Sequence, residues 1–139
     1  MHRKGELLMK KILLVCCAGM STSMLVLKME KAAAARGLEV QIKALPVLDA
    51  ENELNDWDVI MLGPQVRNME KSLRELTSTP IEVINMRDYG MMNDEKVLDA
   101  ALRIIEKYTI VKLLNNESED WVIFTFFDIF LSRKYLNKI

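Results

Sequence analysis

One histidine, two cysteines, three prolines and five glycines in 139 residues leave this chain without several common devices. The cysteines are neighbours, Cys16 and Cys17, so they build no disulfide framework, and no stretch has the pattern of a secretory signal. The lone histidine is His2. Adjacent cysteines with no histidine in the body lack the partners of a four-ligand zinc site, and neither metal nor other cofactor is expected. Nineteen basic against twenty acidic side chains give a net charge of −1, which removes the footprint of a nucleic-acid binder. No apolar run attains the roughly 18 residues of a membrane span. A chain of this length suits one domain that buries a core without covalent staples. The default is a soluble protein of a reducing compartment.

Aromatic residues are scarce before Tyr108, where only Trp57 and Tyr89 occur; the four phenylalanines are Phe124, Phe126, Phe127 and Phe130. That shift predicts a domain over residues 9–107 and a C-terminal extension over 108–139. The polar stretch from Asn115 to Asp120 reads as a linker or exposed turn. The run from Trp121 to Leu131 is too short for a bilayer, and its β-formers carry an aggregation risk if exposed. At the other end, residues 1–8 show no periodicity. Codons for Arg3-Lys4-Gly5-Glu6 can spell a purine-rich ribosome-binding sequence at a fitting distance before Met9. The expectation is that translation naturally begins at Met9 and that 1–8 is a non-native leader. An intact mass of the native protein that includes residues 1–8 would refute it.

Residues 11–15 form a short continuous apolar run, the mark of a strand covered on both faces. Met24, Leu25, Leu27, Met29 and the alanines 32–35 predict a helix that Gly37 stops. Val40 and Ile42 alternate with polar neighbours as in a strand, and 49–54 reads as a short helix. Asp58 to Leu62 is another buried strand, closed by Gly63-Pro64. Val66, Met69, Leu73 and Leu76 have helical spacing. Ile81, Val83 and Ile84 give a fourth strand, and Asn93 is placed to cap a helix carrying Val97, Leu98, Ala101, Leu102 and Ile105. Strands alternating with helices predict an α/β domain: a four-stranded parallel sheet flanked by helices. Ligands of such sheets sit beyond the carboxyl ends of the strands, where strand order switches. The segments Cys16–Ser23, Gly63-Pro64-Gln65 and Arg87–Gly90 should gather there.

The segment Cys16-Cys17-Ala18-Gly19-Met20-Ser21-Thr22-Ser23 places a thiol after a strand and hydroxyls at a helix start. Such a loop can turn successive N–H groups inward, with the helix dipole behind them, to cup an anion. Gly19 eases the curvature, and the three hydroxyls can donate to an oxyanion or cap the helix. The same environment favours a thiolate, and a thiolate at a phosphate cup implies a phosphocysteine. The alternative is a buried structural cysteine pair beside a capping serine.

The loop from Val15 to Leu25 resembles the active loop of the IIB components of the bacterial phosphotransferase system, lactose/cellobiose/chitobiose type. Leu62-Gly63-Pro64-Gln65-Val66 resembles that family's second signature and Tyr89-Gly90 its third. The likeness runs from about Lys10 to Lys107 and leaves the tail unaccounted for. It implies the low-molecular-weight tyrosine phosphatase fold. It also implies a relay in which Cys16 takes a phosphoryl group from a IIA phosphohistidine. The group then passes to a sugar held by the membrane IIC component, the sugar being a β-linked disaccharide such as cellobiose, chitobiose or lactose. Residues 17–23 would hold the phosphate, with Gln65 and Tyr89 as auxiliaries. The protein would be cytoplasmic, meeting the inner face of the membrane through IIC. Cys17 stands where relatives often carry another small residue; the family's nucleophile matches Cys16.

Two other readings stay open. A small cysteine phosphatase needs Cys-x5-Arg-Ser, yet the sixth residue after Cys16 is Thr22. The arginine that would clamp the phosphoryl oxygens is missing. Asp88 and Asp94 could serve as its acid, though loop or capping roles explain them more simply. A non-enzymatic regulatory module is the other. Gln65 could equally steady a turn and Tyr89 fill an edge. Met86, Met91 and Met92 suit core filling or an adaptable docking surface, while Arg67 and Arg87 could steer an anionic partner or be solvated charge.

Overall fold

The computed structural model describes residues 9–17 and 20–116, with the backbone alone for Met20, Ser21, Asn115 and Asn116. The leader over 1–8, the linker beyond Asn116 and the aromatic run from Trp121 lie outside the described residues. Two compact units divide the chain between Ile105 and Glu106.

The first unit is built on four strands: β1 (Lys10–Cys16), β2 (Val40–Pro46), β3 (Val59–Leu62) and β4 (Ile81–Val83). They pair in the order β2-β1-β3-β4, all parallel. Helix α1 (Met20–Ala35) joins β1 to β2, and α2 (Val47–Ala50) with a 3-10 turn at Leu54–Asp56 joins β2 to β3. A 3-10 stretch (Pro64–Met69) and α3 (Glu70–Arg74) lead to β4; α4 (Met86–Gly90) and α5 (Asp94–Asn116) follow.

Handedness decides which face each helix covers. The step from β1 to β2 runs one way across the sheet, and the later steps run the other way. Right-handed crossovers must then lie on opposite faces, and the core confirms it. Ile12, Leu14, Val59 and Met61 pack with Leu25 and Met29 of α1 and with Val97, Leu98 and Ala101 of α5. Leu13, Val15, Ile60 and Leu62 point the other way, onto Ala50, Leu54, Trp57, Val66 and Leu73. Ile12 to Val15 are fully buried because β1 is central and covered on both faces.

Helix α1 buries Thr22, Leu25, Met29, Ala32 and Ala33, the i, i+3, i+7 spacing of one face. It ends in a Schellman motif. Leu38 N–H donates to the Ala33 carbonyl and Gly37 N–H to that of Ala34, with Gly37 at φ +71°. Arg36 beside this turn bonds Glu95 and, at 2.6 Å, Asp99 of α5. Those hydrogen bonds hold its guanidinium pKa above the ordinary value.

Four details depart from the sequence expectation. Helix α1 begins at Met20, so Ser21, Thr22 and Ser23 lie in its first turn and not in a loop. The helix expected over 49–54 separates into α2 and the turn at Leu54. The helix expected over 66–76 is a 3-10 stretch followed by α3, with Val66 at φ −115°, ψ 21° between turns. Asn115 and Asn116, expected in a linker, close α5, which runs through residues 107 and 108. Asn93 does cap α5, its Oδ1 accepting from Lys96 N–H at 3.2 Å.

Candidate functional site

The strand order reverses between β1 and β3, and the chain ends of these strands are tied together there. Gly63 N–H donates to the Val15 carbonyl at 2.8 Å. Cys16 is the last residue of β1, opposite Pro46 of β2. It is 3% exposed, and its Sγ lies 3.9 Å from the Leu45 carbonyl oxygen. Cys17, one residue on, is exposed.

Helix α1 starts just beyond, with its N-terminus at the carboxyl edge of the sheet. First-turn amides of a helix have no intrahelical acceptor, and the dipole there favours an anion. Ala18 and Gly19, expected to form the bend of the cup, lie outside the described residues, as do the side chains of Met20 and Ser21. Thr22 is the one buried polar side chain among the described residues, 2% exposed. Its Oγ1 shares a hydrogen bond of 3.0 Å with the Tyr89 hydroxyl. Ser23 is exposed on the next position of the helix.

Tyr89 belongs to α4, which the sequence reading did not identify as a helix. Asn85 starts it, its Oδ1 accepting from Arg87 N–H at 2.9 Å and Asp88 N–H at 3.2 Å. Asn93 N–H then closes the far end on the Asp88 carbonyl at 2.8 Å. The signal was present as an asparagine two residues after the fourth strand, but five residues are too few to show a helical period. Half-buried Tyr89 packs against the core under α1.

Gly63 is where the remaining expected residues converge. A Cβ placed there would stand 3.0 Å from Gln65 Oε1, 3.5 Å from the Val15 carbonyl oxygen and 3.8 Å from Tyr89 Cε1. Gln65 is exposed on the 3-10 stretch, its amide folded back over the glycine. Thus Cys16, Thr22, Gln65 and Tyr89 all belong to the carboxyl edge of β1 and β3. Asp88 instead lines a shallow depression of about 210 Å³ with Glu82, Asn85 and Lys96, between β4 and α5. Met86 and Met91 are exposed, and Met92 packs on the core. Arg67 and Arg87 are exposed.

Among the described residues no group of three or more His, Cys, Asp or Glu is placed to hold a metal ion. Nor is any described helix long and apolar enough to cross a membrane.

The chain is 47% identical over 100 residues to the galactose-specific EIIB component of the phosphotransferase system of Lactococcus lactis subsp. cremoris, covering 66% of this chain and 93% of that protein. It is 37% identical over 100 residues to the oligo-beta-mannoside-specific EIIB component of Bacillus subtilis, covering 70% and 97%. The solution structure of the cellobiose-specific phosphotransferase IIB component from Borrelia burgdorferi superimposes with a TM-score of 0.62 at 43% identity, over 71% of this chain and 94% of that one. The lactose-specific IIB domain of Streptococcus pneumoniae gives 0.62 at 18% identity over 68% and 95%, a likeness of fold alone. Residues 11–100 match the family of lactose/cellobiose-specific IIB subunits of the phosphotransferase system, and the chain belongs to it.

Proposed function

We propose that Cys16 carries a phosphoryl group between a IIA protein and a sugar held by a IIC permease, with residues 9–107 as the carrier domain. The observation that supports this most directly is the position of Cys16. It ends the central strand at the switch in strand order, directly before the helix N-terminus. In the first step the thiolate sulfur attacks phosphorus in line; the S–P bond forms as the P–N bond to the donor imidazole breaks. In the second a sugar hydroxyl attacks phosphorus, its proton leaves to a base or water, and the thiolate is released. Catalysis here is positioning and charge stabilisation. Amides of residues 17–23 supply the donors, and Gln65 adds a side-chain amide at the rim. The sulfur turns from the Leu45 carbonyl toward the donor when it reacts. Absence of an arginine at Thr22 suits a carrier that must hold a phosphothiol until the acceptor arrives. The sugar we infer is a β-linked disaccharide, the class to which the cellobiose and lactose in the names of two of the relatives belong; the galactose and oligo-beta-mannoside of the others are different sugars.

The test is peptide mass spectrometry after incubation with phosphoenolpyruvate, the two general transfer proteins and a cognate IIA. A phosphate-sized gain on the peptide containing Cys16, absent from Cys16→Ser and kept in Cys17→Ser, is the expected result. No gain in the wild type with the IIA shown to be phosphorylated would overturn the reading.

A further inference from the structure

We propose that Tyr89 is a positioning residue for phosphoryl transfer, pinning the first turn of α1 to the strand ends through the Thr22 hydroxyl. The inference rests on the carrier reading above. Its basis is the contrast between what α1 offers and what fixes it. The first-turn amides are the donors an anion would use, and helix ends fray unless something outside the helix holds them. Thr22 sits in that turn, and its buried hydroxyl is costly to leave unmet. Tyr89 meets it at 3.0 Å.

The other side of the tie is equally fixed. Helix α4 is bonded at both ends, by the Asn85 side chain and by the Asn93 amide on Asp88. The Tyr89 ring stands beside Gly63, which is itself bonded to the Val15 carbonyl one residue before Cys16. One aromatic ring therefore reaches from the glycine bonded to the strand that holds the sulfur across to the helix that holds the amides. The hydroxyl of Thr22 serves this tie, and its contribution to the anion is its backbone.

The test is a double-variant cycle on the rate at which phosphorylated IIA loads Cys16, run well below the melting temperature of every variant. Tyr89→Phe keeps the ring and removes the bond. It should lower the maximal transfer rate roughly tenfold, since small misplacements of donors cost up to about a hundredfold. The apparent KM for phosphorylated IIA should not change. Thr22→Val should match it, Thr22→Ser should stay near wild type, and the double variant should be no slower than either single one. A wild-type rate in Tyr89→Phe, a loss confined to KM, or a multiplicative loss in the double variant would overturn the tie. If wild type accepts no phosphoryl group, the carrier reading fails, and hydrogen exchange of the amides at 24–26 judges the tie itself. Those amides bond the carbonyls of the first turn, so faster exchange in Tyr89→Phe with β1 and β3 unchanged supports the pin, and equal exchange overturns it.

Discussion

Cys16 and Cys17 are consecutive in the chain and opposite in surroundings: the first is 3% exposed beside the Leu45 carbonyl, and the second is open to solvent. Cys16 is the last residue of the buried strand β1, and Cys17 lies just beyond its end. A bulky thiol reagent should therefore label Cys17 first in the folded protein. Tandem mass spectrometry of the tryptic peptide over a time course reads the order. Faster labelling of Cys16 would show that its sulfur is open in the resting state.

The crowding at Gly63 has a graded outcome. An alanine Cβ displaces only the flexible end of Gln65, so Gly63→Ala should cost less than about 1 kcal/mol. Gly63→Val adds atoms toward the Val15 carbonyl and the Tyr89 ring and should cost about 1–3 kcal/mol. Urea unfolding midpoints measure both, and equal losses would contradict the geometry.

Asn85 accepts two backbone N–H bonds at the start of α4. Asn85→Ala should destabilise the protein by about 1 kcal/mol, the ordinary loss of a side-chain cap. Because α4 carries Tyr89, the same change should also slow loading of Cys16. Thermal melts beside transfer kinetics test the two effects separately.

Gly37 has φ +71° and nothing within 4 Å of its missing Cβ, so its requirement is conformational and not steric. Gly37→Ala should cost about 1 kcal/mol through backbone strain alone. Gly37→Asn should lose less, since asparagine tolerates that region. Chemical denaturation of the pair checks the ranking.

The strands were legible because each is a short β-branched or aliphatic run between turn residues, and Ile12 to Val15 needed no periodicity to be read as covered on both faces. Asn93 and Gly37 were legible because capping chemistry is local. What escaped were elements decided by contacts distant in sequence. Ser21 to Ser23 resemble a loop by composition; their helical state goes with a Thr22 hydroxyl bonded 67 residues away. Residues 66–76 have helical spacing, but the non-helical backbone of Val66, buried under the sheet, breaks the run at its start. At the site, the place of Cys16 at the end of β1 followed from the apolar run before it, whereas its carbonyl neighbour on β2 required strand pairing to be known. The bond between Thr22 and Tyr89 leaves no trace in either local segment.

Every side chain from Ile12 to Val15 is fully buried, and β1 is paired with a neighbour on each side. The sulfur thus has a fixed mount, while its collar is made of a five-residue helix, a 3-10 stretch and an exposed cysteine. Local opening is easiest where burial is least. An encounter at this edge can reshape the collar, with the strand beneath held still.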